Sequence, residues 1–412
     1  MNKKHSRWLE PLLARALGTF PVVVVAGARQ VGKTTLVREL CPEPPRRYHT
    51  LDSLDVLLQA KENPDSLLEE LPVTLDEVQR APELLLAVKR AVDRKRVAGG
   101  ILLTGSANFS LMRKVADSLA GRAVYLELSP FCPTEWNGNK RGLDLMEGLF
   151  SEKPDLSEWR AGQGDWRWAL CRGGFPSAMG MEDDAARAMW FGGYVQTYLE
   201  RDLRQLSNVG SLGDFQSLMR LAAGRTARLL NESDLARDAG ISQPTCHRHL
   251  QWLEVGCLIS RLEAFHANAA SGIRRARKLM WQDGGLAAWL AGIRSAEDLA
   301  NRPDEGFWLE QVVFQTLQVW RGMDPVSRKI SHWREGGKRD VDFVLESPEG
   351  LVALEVKNSK SVTPSDCVGL RAFRDAVPRG KKFLRGAVLY GGEEPRALGE
   401  GIHALPWSVL LG

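Results

Sequence analysis

Apolar positions change period several times along the chain, and each change predicts an element. Between residues 5 and 18 they recur at helical spacing, which predicts an amphipathic lead-in helix. Pro21 then opens the run Val22 to Val25, whose unbroken β-branched character predicts a strand buried on both faces, as in a parallel sheet. Thr35 to Leu40 returns to a helical pattern. Apolar runs at Leu71 to Leu75, Ile101 to Leu103 and Ala123 to Leu128 predict further strands. Residues 137 to 165 are polar and poorly periodic, and predict an exposed insertion or linker. A helical block follows from Trp166 to residue 225, where Trp190, Phe191, Tyr194 and Tyr198 recur at a spacing that reads as packing.

The last 180 or so residues continue the alternation (about one domain's length). Asn231 to Ile259 predicts a capped helix, the break Ala239-Gly240, and a second helix that Ser242 caps and Pro244 enters in its first turn. Leu258 to Leu262 is strand-like. Phe307 to Phe314 predicts a helix, Ser331 to Arg334 a strand, and Asp340 to Leu345 with Leu351 to Lys357 a hairpin turning at Ser347-Pro348-Glu349-Gly350.

Length and composition narrow the class. The 412 residues are 44% apolar and 26% charged, which excludes a lone small module. No apolar run near the start approaches the ~20 residues of a membrane-spanning helix. The basic first ten residues lead into Leu9, Glu10 and Pro11 rather than a secretory apolar core, so the expectation is a cytoplasmic protein with no membrane partner. Six cysteines are scattered without close pairs, which argues against disulfides and structural zinc. A net charge of +4 is too mild to announce nucleic acid, so any basic site must be local.

Candidate chemistry begins directly after the valine run. Gly27-Ala28-Arg29-Gln30-Val31-Gly32-Lys33-Thr34, followed by Thr35, fits the G-x-x-x-x-G-K-T phosphate loop between a strand and a helix. Its amides and the helix dipole stabilise phosphate, Lys33 would bridge the β and γ phosphates, and Thr34 would hold Mg²⁺ through its hydroxyl. ATP and Mg²⁺ are therefore the expected cofactors. Asp76-Glu77 at the end of the second apolar run fits the Walker B arrangement, with Asp76 ordering the Mg²⁺ shell and Glu77 activating the attacking water. After the third strand, Ser106 and Asn108 are candidates for sensing the γ phosphate.

These motifs, in this order, resemble the predicted AAA-type ATPases of bacteria and archaea that end in a domain of unknown function. The resemblance rests on Gly27 to Thr35, Leu75 to Gln79, Leu103 to Ser106, Leu119 to Arg122, Leu128 to Pro130, Gly173-Gly174-Phe175-Pro176 and Tyr198 to Leu203. It implies an ATPase that forms a homo-oligomer, with a hexameric ring among the assemblies. It also makes Arg122 a candidate arginine finger, with Arg113 a weaker rival and an internal ion pair the alternative.

Two further constellations point to DNA. In the helix-turn-helix pattern, Thr245, His247, Arg248 and Gln251 would face outward, and the basic strip Arg274 to Lys278 suits phosphates; an architectural role is the alternative. Asp342, Glu355 and Lys357 resemble the D…E-x-K core of restriction-endonuclease-like folds. That resemblance implies a second Mg²⁺ or Mn²⁺ held by Asp342, Glu355 and Glu310; an ion-pair network in an inert fold is the alternative. The expected fold class is thus an α/β P-loop ATPase domain (1–135), a linker and helical block (136–225), a winged helix (226–268) and an α/β nuclease-like domain (269–412). The expected function is ATP hydrolysis coupled to DNA remodelling or translocation, with nuclease activity open. Alternatives are a nucleotide-gated signalling or defence switch, and a regulatory DNA-binding ATPase with an inert C-terminal domain.

Overall fold

Five short apolar segments of the N-terminal part, β1 (Val22–Ala26), β2 (Arg47–Thr50), β3 (Val73–Asp76), β4 (Ile101–Gly105) and β5 (Ala123–Glu127), form one sheet in the order β2-β3-β4-β1-β5, with all pairs parallel. The structure, a computed structural model, describes residues 5–40, 45–106, 119–155, 159–197, 211–265, 276–335 and 339–411. β1, β3 and β4 are buried at every position, as the middle strands of a sheet covered on both faces must be. The helix Leu84–Arg94 packs Leu84, Leu85, Val88 and Val92 into the core with Val22, Val24, Leu75 and Leu103. Small boundary differences appear: the second predicted strand starts at Val73 rather than Leu71, the third runs on to Gly105, and the lead-in helix is Glu10–Leu17. The predicted helix Thr35 to Leu40 is a short α-helix, Lys33–Thr35, continued as a π-helix over Leu36–Leu40.

The chain divides into two compact units, Met1–Pro130 with Leu253–Leu258, and Phe131–Trp252 with Ile259–Gly412. The segments 136–225 and 269–412 thus fall in one unit, and the segment 226–268 is divided, with residues 253–258 grouped in the other. Residues 137 to 165 are not simply an exposed linker. Arg141–Phe150 is a helix that buries Leu143, Leu145, Met146, Leu149 and Phe150, and Phe150 stacks on Trp320 with ring centroids 5.5 Å apart. Polar and glycine-rich flanks on both sides hid this short apolar stripe.

The second unit is built on a six-stranded mixed sheet, ordered β12-β13-β11-β10-β9-β8: β8 (Lys329–Glu335), β9 (Arg339–Ser347), β10 (Gly350–Val356), β11 (Phe383–Tyr390), β12 (Arg396–Gly399) and β13 (Ile402–Pro406). The hairpin β9–β10 is antiparallel and β10–β11 parallel. Leu370 and Phe373 of the helix Val368–Ala376 join Val341, Val344, Ala353 and Val388 in its core. Ahead of this sheet come the helices Glu232–Asp238 and Gln243–Val255, then the antiparallel pair β6 (Ile259–Leu262) and β7 (Lys278–Trp281). Trp190 packs on Phe191, Tyr194 and Phe175, in line with packing rather than base stacking. Tyr198 lies outside the described residues.

Asp283 explains the Gly173-Gly174-Phe175-Pro176 turn. Its buried carboxylate accepts from Gly174 N at 2.5 Å and from Leu286 N at 2.6 Å, capping the helix Gly284–Leu290 while holding the turn. Burial pushes this acid up to about 6 against the pull of those backbone donors. Gly173 has φ 68° and ψ −155°, a region that side chains rarely enter, and a Cβ there would sit 2.6 Å from Asp283 Oδ1. Gly173→Ala is expected to cost about 2–4 kcal/mol through backbone strain and displacement of a capping carboxylate. Urea unfolding of the variant beside wild type checks this; an unchanged midpoint would refute it.

Candidate functional site

The parallel order places the C-terminal ends of β3, β4 and β1 side by side, so the residues following these strands share one edge of the sheet. The phosphate loop, Gly27 to Gly32, leaves β1 there. Gly32 has φ 95°, a left-handed conformation that glycine adopts without strain, and it caps the helix beginning at Lys33. Gln30 is also left-handed, with φ 60°. Ala28 and Val31 are buried, Arg29 is partly exposed, and Thr34 and Thr35 start the helix. Arg7 holds the loop from behind, donating to Val31 O at 2.9 Å and Ser129 O at 2.6 Å. Lys33 is 5% exposed and donates to Gly27 O at 3.0 Å and Ala28 O at 2.8 Å. Burial lowers its pKa below the usual lysine range, against the opposing fields of Glu77 and Asp76.

Asp76, at the end of β3, gathers the other polar groups. It accepts from Thr34 Oγ1 at 2.8 Å, Tyr48 Oη at 2.6 Å, Thr104 Oγ1, and Glu77 N at 3.1 Å. Burial and the bond to Asp76 hold the Tyr48 phenol well above its ordinary range, so it serves as a donor. Glu77 follows with φ 61° and ψ 39°, a left-handed backbone that is uncommon for a residue with a side chain. Gln79 donates to both Glu77 Oε2 and Ser106 Oγ, the latter at 2.9 Å, and accepts from Ser106 N at 3.3 Å. A continuous polar bridge therefore runs from Glu77 to Ser106. A hydroxyl and a carboxylate 2.8 Å apart at the mouth of an anion nest are the oxygen donors that Mg²⁺ with a phosphate uses, since this ion takes one or two protein oxygens and keeps waters. The donor set fits.

Tyr48, Thr104 and Gln79 were assigned no role from sequence. Gln79 and Thr104 lie within motifs, but Tyr48 comes from the neighbouring strand β2, which only the fold brings to Asp76. Asn108 and Arg113 lie outside the described residues. The Arg122 guanidinium donates to both oxygens of Asp93, at 2.7 and 2.9 Å.

A second polar centre lies within the C-terminal unit, in a cavity of about 620 Å³. Asp342, Glu355, Lys357 and Glu310 do meet there, but a fifth group comes with them. Lys278, the first residue of β7, donates to Glu310 Oε2 and lies 3.3 Å from Asp342 Oδ1. Lys357 pairs with Glu355 Oε1 at 2.7 Å, and Asp342 Oδ2 accepts from Val356 N at 2.9 Å. Burial, together with the field of Asp342, raises Glu310 and Glu355 well above the carboxylate range. Burial works to lower Lys278, yet Glu310 and Asp342 outweigh it and the net shift is upward. Among the described residues no group of three or more His, Cys, Asp or Glu side chains is placed to hold a metal. Of the expected metal set Glu310, Asp342 and Glu355, one oxygen of each acid is engaged by an ammonium group, and Asp342 Oδ2 by a backbone amide. The basic strip is corrected at its end, because Lys278 is 7% exposed and Arg277 pairs with Glu263 at 3.1 Å. Arg274 and Arg275 lie outside the described residues.

In the helix-turn-helix segment, Asn231 caps the first helix and Ser242 Oγ accepts from Thr245 N at 3.3 Å. Gln243, His247, Arg248 and Gln251 are exposed, Thr245 is partly exposed, and Cys246 and His249 face inward. His247 is held by Glu232 at 2.9 Å and contacts Gln251 at 3.1 Å. No helix among the described residues is long and apolar enough to cross a membrane.

Residues 19–137 match the family model described as AAA domain, and residues 163–297 and 305–410 match two domains of unknown function, DUF8612 and DUF4143. The middle match runs through the helical block, the helix-turn-helix and β7, ending beyond the boundary drawn at residue 268. Uncharacterized proteins of Mycobacterium bovis and Mycobacterium tuberculosis are each 29% identical to the chain over 402 residues, 97% of this chain and 83% of theirs. Among solved structures, a Walker-type ATPase of Pyrococcus abyssi aligns with TM-score 0.41 and 17% identity, over 70% of this chain and 99% of that one. The phosphate loop, the Asp76 hub and the AAA match make the chain an ATPase of the AAA type that ends in a DUF4143 domain.

Proposed function

We propose that the protein is a DNA-binding AAA-type ATPase in which nucleotide state at the phosphate loop governs how a helix-turn-helix element engages duplex DNA, with a C-terminal domain that does not cleave. The observation that carries the hydrolytic part is the convergence of Thr34, Tyr48 and Thr104 on Asp76, with Glu77 beside them. Lys33 binds the β and γ phosphates with the loop amides. Mg²⁺, held through Thr34 and Asp76, supplies charge neutralisation when bound. Asp76 is fixed by three side-chain donors, so it orders water without reorienting. Glu77 is the base that takes a proton from the attacking water. Gln79 holds Glu77 and Ser106 together, so loss of the γ phosphate near Ser106 is felt at the base.

The DNA part is supported by the exposed face Gln243, His247, Arg248 and Gln251, of the size and polarity that reads base edges in a major groove, followed by the antiparallel pair β6–β7 of a wing. A cavity of about 510 Å³ beside that helix is lined by Gln243, His247, Arg261 and Arg277 together with Glu232, which pairs with His247 and Arg261. The lysine-filled pocket of the C-terminal unit favours an inert domain over a metal-dependent nuclease.

Lys33→Ala is expected to abolish ATP binding, read by anisotropy of a fluorescent ATP analogue, because the phosphate charge loses its buried cation. Glu77→Gln should bind ATP as tightly as wild type while turnover falls by about 10²-fold or more, the usual contribution of a general base. Wild-type turnover that survived Glu77→Gln would remove this residue from the chemistry. DNA binding is tested by titrating duplex, branched and single-stranded DNA at moderate salt. Arg248→Ala is expected to weaken duplex binding by about tenfold, the scale of one good contact. If no DNA binds or alters turnover, the DNA reading falls while the ATPase assignment stands.

A further inference from the structure

We propose that Lys278 is a built-in cation that occupies the divalent-metal position of the C-terminal pocket, so that this pocket works without a metal and becomes a metal site only when the lysine is removed.

The argument starts from charge. Glu310, Asp342 and Glu355 bring three carboxylates into one cavity, and Lys278 and Lys357 bring two ammonium groups. Lys357 is taken by Glu355. Lys278 lies between the other two acids, donating to Glu310 and lying 3.3 Å from Asp342, with its ammonium 5.2 Å from the centre of the Phe343 ring. A divalent ion bridging Glu310 and Asp342 would need oxygens at about 2.0–2.6 Å from its centre, in the space that the ammonium fills. One further oxygen, Glu355 Oε2, is buried without a hydrogen-bond partner among the described residues. It is a third oxygen in the same cavity.

The lysine is also fixed from every side that the backbone offers. β7 pairs with β6 along its whole length, with Leu262 opposite Lys278. On its other edge, Ala227 N donates to Leu279 O at 2.7 Å, Leu279 N donates to Arg228 O at 2.9 Å, and Leu230 N donates to Arg277 O at 2.7 Å. Gln311, next to Glu310 on the helix Glu305–Gly322, accepts from Trp281 N at 3.0 Å and donates to Trp281 O at 2.8 Å. Gln311 itself is held by Thr226 at 2.7 Å. The strand carrying the cation and the helix carrying its acid are thus tied together by a buried amide. Such a cation is a permanent member of the site rather than a surface lysine that happens to reach it.

Removing it leaves three carboxylates with one ammonium, a formal charge of −2 when all three are ionised, and a divalent cation would favour that ionised form by neutralising it. The test counts Mn²⁺ bound by the nucleotide-free full chain, by electron paramagnetic resonance of the free ion, and needs neither ATP turnover nor DNA. Failure of the DNA-binding reading would leave it untouched. Wild type and Asp342→Asn are expected to bind the same number of Mn²⁺ ions. Lys278→Met should bind one more, and Lys278→Met combined with Asp342→Asn should lose it again. Lys278→Arg, which keeps a cation, should match wild type. A wild-type Mn²⁺ site that disappears in Asp342→Asn overturns the proposal, as does a folded Lys278→Met that gains no ion. If Lys278→Met does not melt cooperatively, the comparison of wild type with Asp342→Asn decides alone.

Discussion

Burying a lysine ammonium costs several kcal/mol unless anions surround it, and two are buried among the described residues. Their environments are opposite. Lys33 is 5% exposed and donates to neutral carbonyls of its own loop, and its pKa is lowered. Lys278 is 7% exposed, lies among carboxylates, and its pKa is raised. An under-compensated buried cation gains most from an arriving anion, and a compensated one gains least. The first arrangement suits an arriving phosphate, and in the second the cation is already neutralised by carboxylates. Residue type alone does not separate them, since each lysine is the first residue of its element.

The nucleotide centre depends on strand order as much as on motif. Asp76 accepts from residues of β2, β4 and the phosphate-loop helix, which meet only because β3 lies between β2 and β4, and β1 lies next to β4. Each donor to the carboxylate contributes about 1.5–3 kcal/mol net, and a buried carboxylate missing one would carry an unsatisfied lone pair. The hub therefore fixes the carboxylate's direction and rewards the parallel register at once. Glu77 emerges from it in a left-handed conformation that the preceding strand and the following turn over-determine, the kind of strain that persists where geometry serves chemistry.

What could be read from sequence follows from this physics. The phosphate loop and Asp76-Glu77 were legible because backbone conformation and local order carry their function within a few residues. The valine run and the β9–β10 hairpin were legible because unbroken apolar runs and the turn Ser347-Pro348-Glu349-Gly350 leave direct marks. Arg141–Phe150 was missed because ten residues between glycine-rich, polar flanks give too short a window for a 3.6-residue period. Tyr48 was invisible because a strand partner is a property of topology. Lys278 was misread most instructively. It ends a basic run, where surface exposure is the natural reading, but it starts a strand with all four residues buried, so its side chain had to find anions or remain uncharged.

That misreading bears on what the C-terminal domain is. The DUF4143 match begins at residue 305, yet the cation that neutralises Glu310 and Asp342 is supplied from residue 278, within the segment matched as DUF8612. Two sequence families thus share one electrostatic centre inside a single compact unit. Removing one partner of a buried ion pair costs about 3–5 kcal/mol because the charge left behind cannot reach water. The boundary drawn by sequence similarity is consequently not a boundary in energy. Two of the acids in residues 305–410 that resemble a nuclease core, Glu310 and Asp342, are paired with a lysine from the strand of the preceding segment.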